Sequence, residues 1–288
     1  MLRFIYKKTL DFLPPYLRIS LQYFRIFKQF PNLTKPTTIN EKILKRILHE
    51  KDPNFAFYAD KYAVRSYIAE TLGGEYLVPL IAVYKDAKDI VTLNEWENIV
   101  IKPNHGAGMV KIIESEPDKY EKQLLVQLCE KWLSKDFSQV CDEWHYSLIP
   151  PMLVVERKIT DPDENLRDYK FHRFLQSDGH FKQVLQVVAE RSEHGYETVF
   201  FDINHLDEIL HSPFGYQLTL SEMEKKAIKQ ILDLNEHLCV AYSYVRLDWY
   251  ISRKKIYFGE ITFTAGAGRS KSFAGQFGVE MGKLWEVQ

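Results

Sequence analysis

The sequence predicts an α+β protein. As far as Gly73-Gly74 its apolar residues recur mainly at helical spacing, whereas from Val78 onward they come in short runs broken by Gly, Pro and Asp. Only two later segments, roughly 117–135 and 221–238, return to a spacing of three and four, so helices interrupt a sheet-rich body. With 288 residues and 45% hydrophobic side chains the chain can bury a large core without disulfides or structural metal.

The opening segment interleaves Phe4, Tyr6, Phe12, Tyr16, Tyr23, Phe24, Phe27 and Phe30 with cations, and Pro14-Pro15 divides it into two short helices. The net charge of -1 hides an asymmetry: up to residue 35, Arg3, Lys7, Lys8, Arg18, Arg25, Lys28 and Lys35 face one acid, Asp11. Such a segment either packs its aromatic stripe on its own protein or makes peripheral contact, through residues 1–30, with an anionic membrane. Pro31 and Pro36 mark a linker, and Thr38 with Glu41 forms a capping box that starts a helix running to about His49. A further helix is predicted over 55–72, stopped by the glycine pair and carrying Asp60, Lys61 and Arg65. Lys61 and Arg65 share a face, which is either solvated or binds an anion. Strands are predicted at 99–102, 109–113, 152–156, 169–175, 182–189, 244–251 and 255–261.

Several function classes are disfavoured. Cys129, Cys141 and Cys239 form no CxxC pair, and the histidines lack HxxxH or HExxH spacing, which argues against a disulfide framework or a zinc site. No apolar run is long enough for a membrane span and no signal-peptide cleavage site follows the first segment. The expectation is a cytoplasmic protein, free or peripheral at the inner face of the membrane. Nucleic-acid binding is not expected, because the basic excess is confined to one end and no recognised module is present.

Three constellations carry chemistry. Strand, glycine turn and strand run through Ile101-Lys102-Pro103-Asn104-His105-Gly106-Ala107-Gly108-Met109. Glycines there bring backbone N–H groups to phosphate oxygens beside the Lys102 ammonium, or else serve only a tight hairpin. In the second, Arg246, Asp248 and Tyr250 alternate on one strand, and Phe258, Glu260 and Thr262 alternate on its expected antiparallel partner. Two converging carboxylates ask for a cation such as Mg2+, with Arg246 turned to a transferring phosphoryl group; the alternative is that Arg246 simply pairs with Asp248 or Glu260. Third, the apolar strand ending at Glu156 offers aliphatic side chains to an adenine ring and backbone groups from Glu156 through Arg157 to Ile159 to its edge, while Lys170 on the next strand reaches for phosphate.

Taken in order, these segments resemble the ATP-grasp superfamily, and more closely its TupA-like branch, associated with teichuronopeptide and other bacterial surface polysaccharide synthesis. The residues carrying the resemblance are Ile39-Asn40-Glu41-Lys42, 60–65, 101–108, Asp168-Tyr169-Lys170-Phe171, Arg246-Leu247-Asp248 and 259–263. It implies an ATP-grasp fold of two α+β lobes clasping nucleotide, behind a helical N-terminal extension: basic aromatic helices at 1–38, a helical pre-ATP-grasp region at 39–95, a first lobe at 96–155 and a second lobe with the metal site at 156–288. Lys102, Asn104 to Met109, Glu156, Arg157, Ile159 and Lys170 would then bind ATP, and Asp248, Glu260 and Thr262 would hold magnesium. Thr262 departs from the ATP-grasp ligases, which usually place a metal-binding asparagine there. Arg246, Lys102 and Lys170 would be catalytic, and Lys61, Arg65, Gly266, Gly268 and Arg269 would meet substrate.

The implied reaction is a carboxylate–amine ligation through an acyl phosphate, joining an amino acid to a uronic acid of a surface glycan. The competing expectations are an ATP-dependent phosphotransferase, a metal-dependent glycosyltransferase, and a non-catalytic scaffold that binds glycan or membrane.

Overall fold

A computed structural model describes residues 13–160, 166–192, 195–239, 241–252 and 255–286. The basic aromatic residues up to Phe12 and the turn cations Arg253 and Lys254 lie outside the described residues. Helix α1 (Pro15–Phe27) begins on the proline pair, the position at which a missing N–H costs nothing. The capping box appears as predicted: the Thr38 hydroxyl accepts from Glu41 N, and α2 (Ile39–His49) follows. The buried Glu41 carboxylate also gathers the linker, accepting from the backbone N–H groups of Asn32, Thr37 and Thr38 at 2.8, 3.0 and 3.0 Å.

The single helix predicted over 55–72 is two helices, α3 (Asn54–Ala59) and α4 (Val64–Thr71). Asp60 breaks it. Its Oδ1 accepts from the N–H groups of Tyr62 and Ala63, while Lys61 N donates to Asn104 O, diverting backbone groups from helical pairing. The other two long helices lie within two or three residues of their predicted bounds, as α5 (Lys119–Leu133) and α7 (Glu222–Asn235). A short helix α6 (Ser138–Cys141) and a C-terminal α8 (Gly275–Leu284) complete the set among the described residues.

The strands form two antiparallel sheets. The smaller runs β1 (Leu80–Tyr84), β4 (Leu153–Arg157), β2 (Ile99–Pro103), β3 (Lys111–Ile113). The larger runs β10 (Lys255–Thr262), β9 (Tyr244–Ser252), β5 (Asp168–Leu175), β6 (Phe181–Ser192), β7 (Gly195–Asp202), β8 (His205–His211). Leu125, Cys129 and Trp132 of α5 pack on the smaller sheet through Ile99, Ile101, Leu153 and Val155.

The two faces of the larger sheet differ, and that difference creates the site. One face is apolar: Tyr169, Phe171, Leu247, Trp249 and Ile261 pack under α7 and against Phe55 and Ile68. The opposite face is apolar only at one end, where Phe174, Val184, Phe200 and Tyr244 meet α1, α2 and α8. Farther along the same strands, alternation brings Lys170, Arg246 and Asp248 to this face. Between the two ends lies His172, wholly buried, with its ring nitrogens on Tyr244 Oη and Gln186 Oε1 at 2.9 and 3.0 Å. Burial, helped by the Arg246 charge, pushes its pKa down to about 3, so the apolar end adjoins a neutral ring.

Candidate functional site

Strands β9 and β10 bring the predicted acids together. Glu260 pairs with Asp248 and Thr262 with Arg246 across the ladder, but the register slips between Phe258 and Glu260. A bulge at Gly259 causes the slip, and a Cβ on that residue would lie 2.9 Å from Asp248 O. Phe258 therefore does not share the Glu260 face; it is buried on the opposite side in edge-to-face contact with Trp249.

A cation occupies the space between the two carboxylates, and it is Arg246. Its Nε and Nη2 hold Asp248 at 2.7 and 2.8 Å, and Nη2 also reaches Glu260 Oε1 at 2.7 Å and Thr262 Oγ1 at 3.1 Å. Lys170 Nζ donates to Asp248 Oδ2 at 2.5 Å and lies 3.6 Å from Asp168. Burial pushes the Asp248 carboxyl up. At Glu260 burial acts the same way, but Lys61, Arg246 and Lys170 outweigh it and hold that carboxyl well below the usual range. Two acids sharing one set of cations titrate as a pair.

On the smaller sheet, Glu156 on β4 faces Lys102 on β2. The buried Glu156 carboxylate pairs with Lys102 Nζ at 2.6 Å and Arg65 Nη1 at 2.8 Å, and Arg65 also donates to Val78 O. Lys61 spans the two sheets: its Nζ donates to Gly106 O in the glycine turn at 2.6 Å and lies 3.7 Å from Glu260. Lys102, Lys61, Lys170 and Arg246 thus form a run of cations from the hairpin to the acid pair.

Residues 41–286 match the protein family described as TupA-like ATPgrasp. The chain belongs to that family. Its two sheets with their helices are the α+β lobes of the ATP-grasp fold. None of the curated proteins matches this ATP-grasp chain. Among solved structures it is similar to D-alanine-D-alanine ligase from Helicobacter pylori, with 13% identity, a TM-score of 0.48, and coverage of 80% of this chain and 61% of that one. It is also similar to L-amino acid ligase from Bacillus licheniformis, with 14% identity, a TM-score of 0.48, and coverage of 79% and 48%. A third is biotin carboxylase from Campylobacter jejuni, with 13%, 0.47, 81% and 47%. The chain thus spans less than two thirds of the length of these three.

Other residues of the ATP-grasp hairpin divide into anchors and tip. Asn104 is an anchor: fully buried, its amide holds Asp60 Oδ1 and Pro150 O, and its Oδ1 takes Met152 N. His105 is buried with Nε2 against Lys135 O, and burial lowers its pKa, so it is neutral. Met109 packs into the core of the smaller lobe. Gly106, at φ +85°, lies over the Phe137 ring, 2.4 Å from where a Cβ would be. From Asn104 to Met109 only Ala107 and Gly108 are exposed, and a Cβ on Gly108 would meet nothing. Glu156 is committed to Lys102 and Arg65, and the Arg157 guanidinium turns outward to Glu95. The N–H groups of Arg157 and Lys158 are taken by Pro79 O and Asn98 O, so neither is available to an adenine edge; Ile159 is half-buried beyond them.

After Thr262 the chain turns through the predicted substrate loop. Gly266 is exposed, but Gly268 is buried, with the place of a Cβ 2.7 Å from Asn40 O, so it serves packing on α2 rather than admission of substrate. The Arg269 guanidinium lies 3.4 Å from Asp142, and its buried Nε has no partner. Sequence reasoning missed what adjoins it. Glu143 is buried and takes the Thr264 hydroxyl at 2.5 Å. No spacing pattern marks Asp142-Glu143, which stand in a linker segment far from 264–269 in the chain.

The donor set suits magnesium: two carboxylates and a hydroxyl are hard oxygen ligands, and a divalent ion would relieve the repulsion that Arg246 and Lys170 now offset. Asp248, Glu260 and Thr262 are the residues that would hold it.

Proposed function

We propose that this chain is an ATP-dependent, ADP-forming carboxylate–amine ligase that joins an amino acid to a uronic acid of a bacterial surface polysaccharide, working inside the cell with its N-terminal segment on an anionic membrane. The observation that carries the ligase reading is the Lys61 bridge, which couples the glycine turn to the acid pair and so joins the cations of the two lobes into one run.

Bound Mg-ATP would supply the phosphoryl group and the divalent charge that neutralises it. Lys102 is held by Glu156, and Lys170 by Asp248, so both ammonium groups are positioned before nucleotide arrives. A substrate carboxylate oxygen attacks the γ-phosphorus, the bond to the β-phosphate bridge breaks, and ADP leaves. Arg246, Lys102 and Lys170 offset charge that develops on the transferring oxygens. An amine then attacks the acyl carbon, inorganic phosphate departs and the nitrogen gives up a proton, leaving an amide. Arg269, with one unpartnered N–H, is the group on the loop suited to a second carboxylate.

The test is turnover of Mg-ATP with uronate-bearing glycans and a mixture of amino acids, read by ADP and phosphate release and by mass spectrometry. The expected product has the mass of uronate plus amino acid less water. A phosphorylated glycan, sugar-nucleotide turnover without ATP, or no substrate-dependent ADP across a broad panel would each reject the proposal.

A further inference from the structure

Helix α1 has two apolar faces and the fold uses one. Ile19 and Tyr23 are buried with Ile39, Ile43 and Trp285. On the opposite side, seven residues apart and hence in line, Leu17 and Phe24 are 48% and 39% exposed. Phe30, 63% exposed, stacks its ring on Phe24 with centroids 4.7 Å apart, so the outward apolar surface is an ordered platform. Lys28 follows Phe24 by one turn and is exposed, as is Lys35. From Phe12 to Asn40 the sequence contains four cations and no acid.

Exposed aromatic and leucine side chains on a segment whose charges are all positive fit an interface that is apolar below and negatively charged at its surface. We propose that the outer face of α1, formed by Leu17, Phe24 and Phe30, seats on an anionic lipid bilayer, with the exposed Lys28 and Lys35 of the same segment supplying positive charge. The seat is linked to the site through two ion pairs. Arg18 on the same helix donates from Nε to Asp142 Oδ1 at 2.6 Å, and Asp142 also holds Arg269 of the loop that follows Thr262. A membrane-seated α1 is therefore linked through Asp142 to the 264–269 loop, which suits an acceptor presented at the lipid surface. This narrows the membrane contact of the proposed function to one face and does not depend on the ligase chemistry.

The experiment is flotation of the full chain with vesicles of phosphatidylcholine alone and of equal parts phosphatidylcholine and phosphatidylglycerol. The wild type is expected to float with the anionic vesicles and not the neutral ones, less so at high salt. Leu17→Ser with Phe24→Ser and Phe30→Ser, and separately Lys28→Glu with Lys35→Glu, should each weaken partition roughly tenfold or more. Unchanged circular dichroism and an unchanged thermal shift with Mg-ATP would show the variants to be folded. Equal partition of variants and wild type would overturn the proposal, and would assign any binding to residues 1–12, which all share. Equal binding to both vesicle types would overturn it too. So would loss of a dimer by light scattering in place of loss of flotation, since the face would then pair two copies. Catalytic turnover plays no part in the readout, so failure here leaves the ligase proposal standing.

Discussion

Glu143 is a carboxyl removed from water beside another acid. Burial, aided by the Glu260 charge and opposed by the Thr264 hydroxyl, Arg269 and Arg246, pushes its pKa up to about 7 from an ordinary 4.5. Below the ordinary value it is protonated whether the chain is folded or not. Between the two values the folded protein holds a proton that the unfolded chain has lost, so stability falls as pH rises through that window and remains lower above about 7. Glu143→Gln keeps an acceptor for Thr264 and removes the titration. The ligand-free variant should therefore gain ~2–3 kcal/mol over wild type at pH near 8 and differ little near pH 4. Urea unfolding at both pH values measures this, and an equal difference at the two would refute it. Glu260 has the opposite sign: its carboxyl is held low, so its contribution is present above the ordinary value and is lost on acidification.

At the scale of elements, β9 and β10 were legible because Arg246 with Asp248, and Glu260 with Thr262, stand at period two on apolar strands, a pattern that strongly specifies a half-buried face. What alternation could not show was the bulge. A slip of one residue sends Phe258 inward and leaves Glu260 opposite Asp248, and a lone glycine announces it only weakly. Gly259→Ala tests that the bulge sets the acid pair, because its Cβ would press on Asp248 O at 2.9 Å and on the Tyr250 ring at 3.1 Å. The expected cost is about 1–3 kcal/mol in thermal unfolding, with weaker Mg2+-dependent stabilisation by ATP. Normal Mg2+ dependence in a destabilised variant would detach the bulge from the site. The break in the helix predicted over 55–72 was hidden for a different reason: the Lys61 N–H leaves helical pairing for Asn104 O, and the Asp60 side chain takes the Asn104 amide, both partners distant in sequence. β8 escaped because His205–His211 mixes two acids and two histidines with a short apolar pattern typical of a sheet edge.

For the whole molecule, the order of motifs made the two lobes legible, but their connection was not. Lys61 was assigned to an anion or to solvent, whereas its ammonium joins Gly106 O on one lobe to Glu260 on the other. Burial lowers its pKa and the Glu260 charge opposes that, so the amine is retained at a cost that the ligand-free fold has little reason to bear. A nucleotide polyphosphate beside Lys61 would supply a second anionic partner in addition to Glu260. Ligand that binds only the folded state stabilises it by about 2.7 kcal/mol at a hundred times its Kd. Lys61→Met should raise the Kd for Mg-ATP at least about tenfold, so at the same concentration the stabilisation falls by about 1.4 kcal/mol. Lys61→Arg, which keeps the charge and loses the compact fit, should lie between the two. Unfolding with and without Mg-ATP reports the difference directly. If Lys61→Met kept the full nucleotide-dependent gain, the bridge would belong to packing alone and the phosphate contacts would fall to Lys102 and Lys170 without it.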